Sequence, residues 1–120
     1  MLFATWARAP GHPLYAAEGM PATPAQMTAR VSAHYAEMAE AIGARVAGVG
    51  DAFLSVAARP GAAALHAGDG YHASAEGARL AASILAAAIL GRPVAPLPER
   101  AWRDPGAPPA VQPVRSIVAR

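Results

Sequence analysis

The chain has 120 residues and a mass of 12.2 kDa, which predicts one small domain and excludes a complete multidomain enzyme. Its composition is 54% hydrophobic and 15% charged, unlike that of a disordered protein, and the lack of cysteine excludes disulfides and thiol catalysis. All 10 basic residues are arginines scattered along the chain, and the net charge is only +2, so we expect no nucleic-acid surface.

The first part of the chain predicts a strand followed by a helix. Residues 2–7 form a short apolar and aromatic run that ends in a segment rich in proline and glycine, as a buried strand does. Thr23 precedes a proline and stands three residues before Gln26, which is the capping-box pattern of a helix start. Apolar residues then recur at three- and four-residue spacing as far as Ile42, which predicts one long amphipathic helix.

A second strand and a second helix are predicted next. Residues 45–49 form a short β-type run, and Asp51 is expected to cap a helix that continues to about Ala58. A helix that joins two strands implies parallel pairing. Because parallel sheets normally contain more strands and carry helices on both faces, the pattern predicts the C-terminal part of a larger α/β domain.

The last predicted helix is followed by a change in composition. Ser74 is expected to cap a mostly buried helix over residues 75–90, in which nearly all positions are apolar. From Pro93 onward prolines interrupt the sequence repeatedly. We therefore divide the chain into a partial domain, residues 1–92, and an extended or disordered proline-rich tail, residues 93–120.

The loop before the last helix contains the residues that predict chemistry. Asp69 and His72 are three positions apart, a separation that a β-turn closes, and Gly70 between them tolerates unusual backbone angles. The carboxylate can then accept a hydrogen bond from one nitrogen of the imidazole. The other nitrogen is left to act as a general base, so both residues are candidate catalytic residues.

This loop resembles the last conserved block of the SGNH (GDSL-type) ester hydrolases, in which an Asp and a His three apart precede the C-terminal helix. The similar run is Asp69 to Ser74, followed by Gly77 and by Leu80 and the two alanines after it, with Ala73 where the family commonly has proline. The resemblance extends over about residues 2–92. It implies a three-layer α/β/α, flavodoxin-like domain in which His72 is general base and acid and Asp69 orients it.

The same resemblance implies small-molecule or carbohydrate esters as substrates and no cofactor. The family's nucleophile lies in an earlier Gly-Asp-Ser motif, and its oxyanion donors are a Gly and an Asn, yet this chain contains no asparagine. Gly50-Asp51-Ala52 is similar to the first motif but lies too close to Asp69 to leave room for the intervening strands. We therefore expect the missing N-terminal part of the domain to be a partner of this chain, and the chain by itself to be inactive.

Two other interpretations remain open. His66, Asp69 and His72 have a spacing that could form a metal site with two histidines and one carboxylate, although His66 is more simply a solvated loop residue. Alternatively, the chain is a non-catalytic interaction module or a truncated remnant with an apolar binding surface. The first residues lack a basic leader, and the apolar stretch of residues 80–90 is too short for a membrane span, so we expect a soluble protein of unknown compartment.

Overall fold

Residues 1–94, the part of the chain that the computed structural model describes, contain two short strands and three α-helices. In chain order the elements are β1 (Leu2–Ala4), a single 3-10 turn (Pro13–Ala16), α1 (Pro24–Ile42), β2 (Val46–Gly48), α2 (Val49–Ala57) and α3 (Ala75–Leu90). The unit therefore belongs to the mixed α/β class, as the sequence predicts.

The two strands pair in parallel, with Leu2 opposite Val46 and Ala4 opposite Gly48. This confirms the parallel pairing expected of two strands joined by a helix. The first strand is shorter than predicted, because only three of the residues in the run 2–7 belong to the ladder. The rest of that run leaves the sheet and extends toward the loop that contains Asp69 and His72.

Helix α1 begins and ends where the sequence indicates. The Thr23 hydroxyl accepts a hydrogen bond from the Gln26 backbone N–H at 3.2 Å, and the helix ends at Gly43, which adopts a left-handed conformation. The second half of the predicted capping box differs. The Gln26 side chain accepts from the N–H of Ala22, one residue before the cap, at 3.0 Å. The Thr23 contact satisfies an N–H group that a helix start otherwise leaves unpaired, and the Gln26 contact joins the residue before the cap to the first turn.

Helix α2 does not use the predicted cap. The chain passes from β2 directly into the helix at Val49, and the cap position is Gly48, which supplies no side chain. Asp51 lies in the first turn instead, where its carboxylate accepts the hydroxyl hydrogen bond of Ser32 on α1 at 3.0 Å. The expectation that Asp51 caps this helix is therefore wrong, because the cap position lies three residues earlier, at Gly48.

Helix α3 packs against the loop that precedes it. The Ser74 hydroxyl accepts from the Gly77 N–H at 3.1 Å, as the sequence predicts, and also donates to the carbonyl oxygen of Ala64 at 2.6 Å. Gly77 is buried so closely against this loop that a β-carbon there would lie 2.1 Å from the Leu65 carbonyl oxygen. The first turn of α3 and the loop are thus packed backbone to backbone.

The hydrophobic core lies between α2, α3 and this loop. Its buried residues are Val49, Phe53, Leu65 and Ala81. Leu80 and Ile84 of α3 pack against them, whereas Ile89 near the end of the helix is 59% exposed. The expectation that α3 is mostly buried is therefore wrong for its last turn.

None of the helices within residues 1–94 has the length and hydrophobicity that crossing a lipid bilayer requires. The predicted proline-rich tail lies outside the described residues, except for its first two positions.

Candidate active site

The loop between α2 and α3 is closed by short antiparallel pairing. The Ser74 N–H donates to the Leu65 carbonyl oxygen at 2.9 Å, and the Ala67 N–H donates to that of His72 at 2.8 Å. At the tip, the Gly70 N–H donates to the Ala67 carbonyl oxygen at 3.0 Å, and Gly70 has a φ of +65°, which favours glycine. The tip is therefore a turn of fixed shape immediately before the start of α3.

This turn brings Asp69 and His72 together. Oδ2 of Asp69 lies 2.5 Å from Nδ1 of His72. The other carboxylate oxygen, Oδ1, accepts the backbone N–H groups of Tyr71 and His72, each at 2.9 Å. One oxygen thus fixes the carboxylate to the turn while the second is directed at the imidazole.

These hydrogen bonds favour the ionised form of the Asp69 carboxyl. The bond from the His72 side chain, followed by those from the Tyr71 and His72 backbone N–H groups, holds the pKa of the Asp69 carboxyl well below its ordinary value. An ionised Asp69 can only accept, so Nδ1 of His72 bears a proton. In neutral His72 the nitrogen Nε2 then has a free lone pair, and it makes no hydrogen bond to any group in residues 1–94.

The segment that follows β1 binds the loop at three points. The indole N–H of Trp6 donates to the Tyr71 carbonyl oxygen at 3.0 Å, and the Ala9 N–H donates to that of Gly70 at 2.8 Å. The third is a 2.8 Å bond between Nε2 of His66 and the carbonyl oxygen of Ala7. The Trp6 ring also stacks on Phe53, with the ring centroids 4.7 Å apart. No local pattern in the sequence indicates the contact of Trp6 with a residue 65 positions away.

His66 has a structural role, which corrects its interpretation as a solvated loop residue. Its Nε2 donates to a backbone carbonyl oxygen, and its ring meets Phe53 edge to face at 5.8 Å. Among the described residues, no three histidine, cysteine or acidic side chains form a group that could hold a metal ion. The triplet of His66, Asp69 and His72 therefore does not form the ligand set that its spacing suggests.

The serine hydroxyl nearest to His72 in sequence, that of Ser74, is already engaged. Ser74 donates to one backbone group and accepts from another, as described above, so it serves α3 rather than the histidine. Ser32 donates to Asp51, and Ser83 donates to the carbonyl oxygen of Arg79. No serine hydroxyl in the described part of the chain is hydrogen-bonded to the His72 ring.

A groove with a volume of about 860 Å³ runs beside the loop. Its walls are formed by the segment after β1, the start of α1, α2 and residues 62–70. Many of the lining residues are alanines. Asp69 forms part of the wall, whereas His72 does not. The groove therefore opens on the Asp69 side of the loop.

No family model, curated protein or solved structure matched this chain when it was compared with them. The functional argument therefore depends on the geometry of the Asp69–His72 loop and on the residues that hold it.

Proposed function

We propose that this chain is the C-terminal portion of a serine ester hydrolase of the SGNH type and supplies its His72 and Asp69. The observation that supports this most directly is the 2.5 Å contact between Nδ1 of His72 and Oδ2 of Asp69, with Nε2 unbonded in residues 1–94. The His72 side chain is 71% exposed, so a nucleophile and a substrate can approach it. An imidazole fixed at one nitrogen and accessible at the other is the arrangement that acyl transfer requires.

The proposed chemistry is a two-step acyl transfer. In the first step, Nε2 of His72 takes the proton of a serine hydroxyl as its oxygen attacks the ester carbonyl carbon. The imidazolium then gives this proton to the departing alcohol, leaving an acyl-serine. In the second step, Nε2 of His72 takes a proton from water as the water oxygen attacks the acyl carbon. It then gives this proton to the serine oxygen as the bond to the serine breaks and the acid leaves. Asp69 stays ionised throughout, and its carboxylate stabilises each imidazolium.

The serine belongs, in this proposal, to an N-terminal part of the domain that is not in this sequence. Two features of residues 1–94 support this. The serines near the loop are engaged elsewhere, and the two parallel strands each have one unpaired edge within the described sheet. A flavodoxin-like domain would pair further parallel strands with such an edge, and its Gly-Asp-Ser segment would follow the first of them. Small-molecule or carbohydrate esters are the substrates that the resemblance implies.

The test is to find and join the missing part. We expect coding DNA upstream of Met1, in any frame, to encode roughly 100 residues or more of strand and helix pattern with a Gly-Asp-Ser motif. The joined protein should hydrolyse a chromogenic acetate ester. The rate of hydrolysis by this chain alone should not exceed the rate with free imidazole. His72→Ala should abolish the turnover, and Asp69→Asn should reduce it strongly, since an amide cannot stabilise the imidazolium.

The matched control is His34→Ala, because His34 is an exposed histidine on α1, far in sequence from the loop. This variant should retain the activity of the joined protein. Upstream DNA without such a segment, or turnover that survives His72→Ala, would contradict the proposal. Turnover by the present chain that His72→Ala abolishes would instead identify a local serine, Ser74 first, as the nucleophile.

A non-catalytic interaction module is a second candidate, favoured by the exposure of several large apolar side chains. Ile42 is 68% exposed, Ile89 59% and Leu90 55%. Such residues suit either a protein partner or the missing part of the domain. Sedimentation separates the two, since a specific partner gives a complex of defined stoichiometry, whereas an incomplete domain gives polydisperse aggregates.

A further inference from the structure

Arg8 and Tyr71 form a stack that contacts the His72 ring. The guanidinium carbon of Arg8 lies 3.5 Å from the centroid of the Tyr71 ring. The Tyr71 ring in turn lies 4.4 Å from the His72 ring, centroid to centroid, with the two planes tilted by 42°. The imidazole is thus held at its Nδ1 edge by Asp69 and contacted on another side by an aromatic ring.

Both members of the stack are fixed through their backbones. The Tyr15 hydroxyl donates to the Arg8 carbonyl oxygen at 2.5 Å, and the Trp6 indole donates to the Tyr71 carbonyl oxygen at 3.0 Å. Arg8 makes no ion pair with an acidic side chain of residues 1–94, so the Tyr71 face is the contact that places its guanidinium. A guanidinium over an aromatic face is attracted by the ring quadrupole.

We propose that Arg8 and Tyr71 are positioning residues that hold the His72 imidazole against Asp69 with its proton on Nδ1. An imidazole as exposed as that of His72 can turn about its side-chain bonds and exchange its one hydrogen bond for water. The tyrosine ring occupies the space into which it would turn, and Arg8 keeps the tyrosine there. The importance of this for catalysis rests on the proposed function, whereas the positioning itself is a property of this chain.

The experiment measures the His72 tautomer by long-range ¹H–¹⁵N NMR on the full chain. The original protein should show neutral His72 protonated at Nδ1, with a downfield Nδ1 proton. Tyr71→Ala should lower the ratio of the Nδ1-protonated to the Nε2-protonated form about three- to tenfold, the range that aromatic contact energies allow, and should weaken the downfield resonance. Tyr71→Phe keeps the ring and should restore both signals.

Arg8→Ala should shift the ratio in the same direction as Tyr71→Ala but less, and Arg8→Lys should restore part of it, because an ammonium also binds an aromatic face. The indole N–H resonance of Trp6 reports whether the loop backbone is intact, since it donates to the Tyr71 carbonyl oxygen. A Trp102→Phe variant assigns that resonance. If Tyr71→Ala also shifts the Trp6 resonance, the loop backbone has changed in that variant. The Arg8 variants then test the proposal, because they leave the loop sequence unchanged.

An unchanged His72 tautomer in Tyr71→Ala, with the Trp6 resonance unmoved, would overturn the proposal. If the His72 tautomer ratio is unchanged in Arg8→Ala, Arg8 has no positioning role. The same conclusion follows if Arg8→Ala and Arg8→Lys change the ratio equally. The measurement involves no ester, so its failure is distinguishable from failure of the proposed hydrolase. In a joined protein that is active, the same variants should lower kcat more than they change KM.

Discussion

Asp69 has two kinds of partner, and this makes its ionisation a source of stability. Its carboxylate receives one side-chain and two backbone hydrogen bonds, all of which favour the charged form. The pKa of the carboxyl in the folded chain is consequently lower than in the unfolded chain, where the pKa of an aspartate is about 3.9. The folded state therefore binds the proton less readily than the unfolded state.

We predict the direction of the pH dependence from this difference. The stabilisation that Asp69 contributes should be fully present above about pH 4 and should decline as the pH falls toward the pKa of the folded chain. Urea unfolding of the original chain and of Asp69→Asn, measured from pH 7 to pH 2, should show a difference in unfolding free energy that shrinks on the acid side. Glu37→Gln, at an exposed position of α1, controls for the loss of one negative charge.

A difference between the original chain and Asp69→Asn that is independent of pH would contradict the assignment of these hydrogen bonds to the ionised carboxylate. A difference that grows on acidification would mean that the folded state favours the protonated form.

The sequence was sufficient to predict the Asp69–His72 contact because it is local. Three positions and one glycine determine it, and the cap at Ser74 places it before a helix. The contacts of Trp6 and Arg8 with Tyr71 could not be predicted in this way, since they depend on where the chain goes after β1. His66 was misjudged for the same reason, because its partner, Ala7, is 59 positions away.

At the level of elements, the start of α3 decides whether the loop keeps its shape. The Gly77 N–H binds the Ser74 hydroxyl, and the position has no room for a side chain. Besides the Leu65 carbonyl oxygen at 2.1 Å, a β-carbon at Gly77 would meet the Phe53 ring at 3.1 Å. The nearer obstacle, the Leu65 carbonyl oxygen, belongs to the backbone, so the clash cannot be relieved by rotating a side chain.

We predict that Gly77→Ala lowers the unfolding free energy by about 1–3 kcal/mol or more, as overpacking of a tight contact does. Gly68→Ala is the matched control in the same loop. A β-carbon at Gly68 meets nothing within 4 Å, so its effect should stay within about 0.5 kcal/mol. Denaturant unfolding of the two variants checks this. Equal stabilities would show that α3 can move away from the loop at little cost.

Element boundaries were predicted well where a side chain marks them and poorly where none does. Thr23 and Ser74 begin α1 and α3 as expected, because a hydroxyl at a helix start has a recognisable spacing to the residue that it binds. Helix α2 starts at Val49 without any such marker, since the strand before it continues directly into the helix. The sequence therefore indicates a cap at Asp51 that α2 does not have.

At the level of the whole molecule, large apolar side chains are exposed on several elements of the described residues. Exposed large apolar residues occur on α1, on α3 and on β1, where Phe3 is 37% exposed. Two parallel strands with an unpaired edge each add a second surface suited to association. The sequence alone predicts an incomplete sheet, but it also predicts a mostly buried α3, because helical periodicity does not show which turns have a neighbour.

We predict that the isolated chain self-associates in a concentration-dependent manner. Analytical ultracentrifugation should show a broad distribution of species, and the double variant Ile42→Glu, Ile89→Glu should narrow it toward monomer. Both side chains are mostly exposed, so the melting temperature should change little. A single monomeric species at all concentrations for the original chain would show that these surfaces need no partner.

The bonds from the segment after β1 to the loop also concern the order of folding. They join residues that are 59 to 65 positions apart, so they form only after both ends of the described fold have met. Loop-closure entropy makes such contacts late events, so the loop that contains Asp69 and His72 should become fixed to the rest of the fold only with the last cooperative step. The Ala9 amide, whose partner is the Gly70 carbonyl oxygen, should therefore exchange with solvent at the rate of global unfolding.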